Sequence, residues 1–162
     1  MPLVSEIKII KKAKQPVLSI KKTINIENLP RLIDESYEKI QNYLNEIGEY
    51  PGDIPYVRYF NMNVENLEDM DVENLEVEIG FPVYKELSGK EDIESGYLPE
   101  MKAVYTIYQG IYQEMVPDYY KVINWAEENN LKLNKTFIEY YYNSSDDVSE
   151  EDLLFGIIMP LK

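Results

Sequence analysis

LEVEIGFPV at residues 75–83 and LLFGIIMPL at residues 153–161 decide the fold, because the second answers the first in length, apolar character and a penultimate proline. Pro82 and Pro160 stand 78 positions apart. Working outward, Tyr59 and Asn61 recur as Tyr141 and Asn143, and Tyr37, Ile40, Asn42 and Tyr43 recur as Tyr119, Val122, Asn124 and Trp125, all 82 positions later. The four-residue change falls in polar connections, where insertions cost little. An internal repeat of this kind predicts two supersecondary units about a pseudo-twofold axis, with a cleft between them suited to a ligand.

The periodicities fill in each unit. Residues 5–12 and 17–23 are β-branched stretches separated by Lys14, Gln15 and Pro16, and they predict two strands joined by a short turn. From 25 to 48 the apolar residues fall at three- and four-residue intervals, predicting an amphipathic helix with Asn28 or an earlier polar residue as cap, Pro30 in the first turn and Gly48 at the end. Strands are predicted at 56–62 and 75–83, and a polar linker at 88–96. The second half repeats the order with a strand at 101–108, a helix at 113–129 and strands at 136–142 and 153–161. The expected architecture is α+β: a duplicated strand-helix-strand-strand unit, a curved antiparallel sheet and two main helices on one face. One domain covers 1–162, with repeats at about 5–87 and 97–162. The prolines Pro82 and Pro160 are expected to end or edge strands.

Composition excludes much. With no cysteine and no histidine among 162 residues, the chain has no disulfide, no thiolate, no Ser-His-Asp or Cys-His triad and no histidine-ligated haem, and most zinc sites are excluded too. A net charge of −14 argues against nucleic acid as the main ligand and favours cations. Lys8, Lys11, Lys12, Lys14, Lys21 and Lys22 are read as the solvated face of an early hairpin. The acidic stretch at 64–74 lacks the glycine and alternating oxygen ligands of a calcium loop and is read as a solvated connection, and 144–152 is read as an acidic loop. No cofactor is expected. No run is long and apolar enough for a membrane span, and a cytoplasmic protein is the simplest expectation.

Several segments together resemble one family, the GyrI-like small-molecule-binding domain, also seen as the effector-binding domain of multidrug-responsive transcription regulators. They are PGDIPYVRYF at 51–60, VEIGFPV at 77–83, YQGIYQEM at 108–115, Trp125, FIEYYYN at 137–143 and the terminal IIMPL. The resemblance covers nearly the whole chain and rests on order and spacing rather than on one motif. It implies an aromatic cleft between the repeats, closed by an acidic residue and open to flat, hydrophobic, often cationic compounds. The family's Glu-x-Tyr motif falls on Glu139 and Tyr141.

The residues add to that resemblance. Glu139 has Val57 as its repeat counterpart, whereas Tyr141 has Tyr59, so the tyrosine is symmetric and the carboxylate is not. Strand alternation places Phe137, Glu139, Tyr141 and Asn143 on one side of the sheet. A carboxylate among tyrosine rings binds an organic cation by charge and by cation–π attraction. Glu139, Tyr141, Tyr59, Tyr112 and Trp125 are therefore the candidate ligand-binding residues. Tyr37 and Tyr119 are assigned to the helix-to-sheet core by their spacing, and the tyrosine and tryptophan candidates have core packing as their alternative. The expected function is a stand-alone binding domain for hydrophobic, cationic or polyaromatic compounds, since only early strands, with no helix-turn-helix pattern, occupy the amino end. Two alternatives follow from the resemblance. One is a hydrolase opening strained electrophilic rings with Glu139 as the catalytic base, and the other is a protein-interaction module with a partner such as gyrase.

Overall fold

The computed structural model describes residues 3–62, 66–144 and 146–162. Helix α1 spans Leu29–Glu46 and buries Leu29, Ile33, Ile40 and Leu44, the stripe that the three- and four-residue spacing predicts. A 3-10 turn at Ile26–Asn28 leads into it, capped by the Asn25 side chain, which accepts from the Glu27 amide; Asn28 itself makes no side-chain cap. Gly48 leaves the helix at φ +73°, a conformation open to glycine at no steric cost. Helix α2 spans Val116–Glu128 and buries Tyr119, Val122 and Ala126. Neither helix is long and apolar enough to cross a membrane.

Eight strands form one antiparallel sheet: β1 Lys8–Lys12, β2 Gln15–Ile24, β3 Tyr56–Tyr59, β4 Leu75–Pro82, β5 Glu94–Leu98, β6 Met101–Gln109, β7 Phe137–Tyr141 and β8 Leu154–Pro160. Their order is β1-β6-β8-β7-β3-β4-β2-β5. With α1 between β2 and β3 and α2 between β6 and β7, each half of the sheet carries the expected strand-helix-strand-strand unit, and the fold class is α+β with a curved antiparallel sheet.

The curvature is forced by two short connections. β5 and β6 stand six neighbours apart in the sheet, and so do β1 and β2. A flat sheet would separate each pair by about 28 Å at the usual strand spacing. Pro99 and Glu100 alone join β5 to β6, and Ala13 and Lys14 alone join β1 to β2. Two linking residues reach about 11 Å. The sheet must therefore curl until its edges approach, and the curl encloses a small core of Val17, Tyr56, Leu98, Ala103, Ile138, Tyr140 and Ile158. The other face carries α1, α2 and the main core, which includes Val57, Val77, Ile79, Val104, Phe137, Ile157 and Met159.

Three expectations change. β1 and β2 are not a hairpin: β1 pairs with β6, and β2 pairs with β5. Lys8 of β1 therefore faces Tyr105, and Glu94 of β5 faces Ser19. Consequently the early lysines do not form a hairpin face, and Lys12 and Lys14 lie over the rings of Tyr140 and Tyr97 at 4.9 and 4.2 Å. The polar stretch 88–96 is not wholly linker, because its end enters β5. The first strand of each half thus completes the sheet of the other half. In the acidic stretch 64–74, Val64 and Glu65 lie outside the described residues, as does Ser145 in 144–152; a 3-10 turn at Leu67–Asp69 follows in the first and one at Glu150–Asp152 in the second.

Local bonding supports the repeat. Asn61 donates to the Asn74 carbonyl and accepts from the Glu76 amide at the start of β4. Asn143 does the same with Asp152 and Leu154 at the start of β8. Pro82 and Pro160 end β4 and β8, and their carbonyls accept from Gly52 and Asn134 respectively. Each of these pairs keeps the offset read in the sequence.

Candidate functional site

The two central strands, β3 and β7, pair with Val57 directly opposite Glu139. Those residues are the counterparts read at the offset of 82 in the sequence, and the strand register sets them opposite each other. Alternation along β7 turns Phe137, Glu139 and Tyr141 toward the helices. Glu139 is 2% exposed, and it is held by four phenols. Tyr59 donates to its Oε1 at 2.9 Å, Tyr112 and Tyr141 approach the same oxygen at 3.4 Å, and Tyr119 donates to Oε2. The Tyr59 and Tyr112 hydroxyls are 2.6 Å apart. Among the described residues no lysine or arginine forms an ion pair with Glu139.

Burial pushes the Glu139 carboxyl above the ordinary glutamate range, and the hydrogen bonds from Tyr119, Tyr59, Tyr112 and Tyr141 oppose that rise without cancelling it. Burial also raises Tyr59, Tyr119 and Tyr141, with the nearby Glu139 charge adding to the effect. Tyr112 moves the same way for the same two reasons. All four phenols consequently remain O–H donors at neutral pH. The ring of Tyr119 stacks on Phe137 at 5.6 Å, which fixes its hydroxyl against the carboxylate.

Two chambers open beside this centre. The first, about 320 Å³, is lined by Glu139, Tyr59, Tyr112 and Tyr119 with an apolar wall of Met62, Leu67, Met70, Leu75, Met115 and Val116. The second, about 430 Å³, is lined by Tyr37, Tyr112, Tyr141, Leu153 and Phe155, with Asp34, Asp147 and Glu150 also bordering it. Leu29, Pro30, Tyr112 and Gln113 border both, so the start of α1 and the segment before α2 divide one cleft. A larger depression of about 650 Å³ lies elsewhere, lined by Arg58, Lys102, Lys132 and Lys162 without an aromatic ring. The candidate site is the divided cleft, because it alone of these joins a buried carboxylate to aromatic walls. No group of three carboxylates among the described residues is arranged for a metal ion.

Of the five residues singled out in the sequence, the fold brings Glu139, Tyr141, Tyr59 and Tyr112 together. Trp125 is a correction. It packs against the main core and lines neither chamber. The reason is helical geometry: the start of α2 presents Val116 and Tyr119 to the cleft, with Met115 just before it, and Trp125 sits about 9 Å beyond Tyr119 along the axis and on another face. Tyr119 and Tyr37, assigned to the core by spacing, do pack their rings there, Tyr37 against Phe81 at 5.2 Å. Both also line the cleft. Their mutual correspondence at the repeat offset was the available signal.

Comparison with known proteins bears on the family and the fold. Residues 5–162 match the family described as GyrI-like small molecule binding domain. No curated protein matches the chain by sequence. Among solved structures, EcmrR in complex with DNA superposes with a TM-score of 0.80 at 17% identity, covering 97% of this chain and 57% of that one. This chain therefore spans little more than half of that relative's length. SAV2435 bound to tetraphenylphosphonium gives 0.65 at 15% identity, covering 98% and 94%. A hydrolase encoded by lin2189 from Listeria innocua gives 0.68 at 10% identity, covering 99% and 93%. At these identities the likeness is one of fold.

Proposed function

The chain belongs to the GyrI-like small-molecule-binding domain family, and we propose that it binds hydrophobic organic cations, polyaromatic ones included, in the cleft at Glu139, as a sensing or sequestering domain. One observation carries this reading: a carboxylate 2% exposed, held only by phenols and facing an aromatic cavity, has no cationic partner among the described residues. A buried carboxylate costs several kcal/mol to desolvate, on the order of the gain from a paired cation. A ligand that brings the positive charge supplies that partner, and the surrounding rings add cation–π attraction of about 0.5–2 kcal/mol. The tetraphenylphosphonium in SAV2435, a hydrophobic cation in a protein of the same fold, supports the choice of ligand class.

The test is calorimetric titration of a planar aromatic cation and its neutral isostere into wild type and Glu139→Gln. The cation is expected to bind wild type more tightly and to lose about 10–100-fold in the variant, while the neutral compound binds both alike. Equal cation affinity in both proteins would end the proposal.

A second reading has one observation in its favour. A carboxyl raised by burial and surrounded by O–H donors can take a proton from water while a phenol protonates the opening ring, the chemistry of a hydrolase acting on strained electrophiles. Product formation that vanishes in Glu139→Gln while binding of the intact compound survives would select this reading.

A further inference from the structure

The two chambers are themselves repeat counterparts. Tyr37, Tyr141 and Leu153 of the second occupy the positions that Tyr119, Tyr59 and Leu75 hold in the first. The differences are chemical. Tyr119 donates to Glu139 in the first chamber. Its counterpart Tyr37 has Val57 where Glu139 would be, and its hydroxyl is buried with no hydrogen-bond partner among the described residues. A buried phenol left unpaired destabilises the protein that carries it, and such groups are few in native structures. Moreover, Val116 of the first chamber is answered by Asp34 in the second, and Met62 by Ser144. Asp147 and Glu150 add two more carboxyls at the same border.

We propose that the second chamber is a distinct subsite for a protonated amine arm of the ligand, one that still carries N–H. The Tyr37 hydroxyl, buried in the ligand-free chain, turns toward the entering arm and accepts from that N–H, and the rings of Tyr37 and Tyr141, edge to face at 6.3 Å, give the cation a π surface. The carboxylates of Asp34, Asp147 and Glu150 attract the charge to the mouth. The full ligand class is then a hydrophobic cation with a primary or secondary amine side arm, its body beside Glu139 and its arm beside Tyr37. A fully alkylated ammonium carries the same charge and offers no N–H, so Tyr37 discriminates between them. This inference rests on the binding reading above and refines it.

The experiment uses three probes built on one planar aromatic cation: the parent without an arm, the parent with an arm ending in a primary ammonium, and the same arm ending in trimethylammonium. Wild type is expected to prefer the primary ammonium over the trimethylammonium by about tenfold. Tyr37→Phe removes that preference and melts no lower than wild type, because it deletes only a hydroxyl unpaired among the described residues. Asp34→Asn weakens both armed probes equally. Absence of a preference in wild type, or its survival in Tyr37→Phe, overturns the subsite. If the parent binds wild type and Glu139→Gln alike while the Tyr37-dependent preference stands, the Glu139 reading falls and the subsite remains. If no probe binds, both fall.

Discussion

Glu139 and Glu78 are buried to nearly the same degree, 2% and 4% exposed, on opposite faces of one sheet, yet they are not equivalent. Glu78 on β4 receives the Tyr56 hydroxyl and lies between Arg58 on one neighbouring strand and Lys21 on the other. Among the described residues neither forms an ion pair with it, but cross-strand neighbours stand about 5 Å apart, so two basic side chains flank Glu78 where none flanks Glu139. Glu139 on β7 lies between Val57 and Ile157, and it is answered by phenols and by open space. Each carboxylate also breaks the repeat, since the counterpart of Glu78 is Gly156 and that of Glu139 is Val57. Burial alone therefore does not mark a binding group. On the proposed binding reading, a buried carboxylate whose cross-strand neighbours are apolar, and which faces a cavity, takes its cation from the ligand.

The harshest way to break the contrast is Val57→Glu, which makes the axis symmetric by setting a second carboxylate against the first. Val57 has no exposed surface. The substitution is expected to cost on the order of 3–5 kcal/mol in urea unfolding at neutral pH. Part of the loss should return as pH falls, because two adjacent carboxyls then share protons. A cost below about 1 kcal/mol would mean that the axis admits enough water to solvate both charges.

Glu139→Gln comes next, acting on binding by about 1.5–3 kcal/mol in the titrations above. It also isolates a pH effect whose sign follows from burial. The folded Glu139 carboxyl is raised, so between the ordinary glutamate range and its raised value the folded chain holds more proton than the unfolded one. Wild type is therefore expected to lose stability relative to the variant as pH rises through that window. Cation affinity should rise across the same window, as the carboxylate forms, and the variant should show neither trend. Unfolding midpoints of both proteins against pH measure the first trend, and a constant difference would mean that Glu139 ionises as it does in the unfolded chain.

The repeat offsets carried most of the fold, because Asn61, Asn143, Pro82 and Pro160 make local bonds that any correct pairing must keep. What the sequence left unread was partner choice. Ala13 and Lys14 suit a hairpin turn as well as a crossover, and a strand pattern records which side is buried without naming the strand beside it. The exchange of β1 and β5 follows only from the complete sheet. At the site, the asymmetry of Glu139 against Val57 was visible by comparing the halves, and it falls where the two central strands pair. Trp125 was drawn in by its aromatic character, which says nothing about how far along α2 the cleft extends. Helical spacing accounted for the rings of Tyr37 and Tyr119 but not for their hydroxyls, whose partners come from another strand or, among the described residues, from none.

The mildest substitution sharpens the comparison from the other side. Glu78→Gln keeps an acceptor for the Tyr56 hydroxyl and removes only the charge that Arg58 and Lys21 flank. A hydrogen bond to a charged acceptor exceeds a neutral one by about 1 kcal/mol, and both basic side chains retain contact with water, so a loss of about that size is expected in unfolding. Cation affinity should not change at all, because Glu78 lines neither chamber. The paired measurement separates the two carboxylates cleanly: Glu78→Gln moves stability without binding, and Glu139→Gln moves binding without weakening the fold at neutral pH. A loss of cation affinity in Glu78→Gln would show that the two faces of the sheet act on one ligand, and the assignment of one carboxylate to structure and the other to recognition would have to be given up.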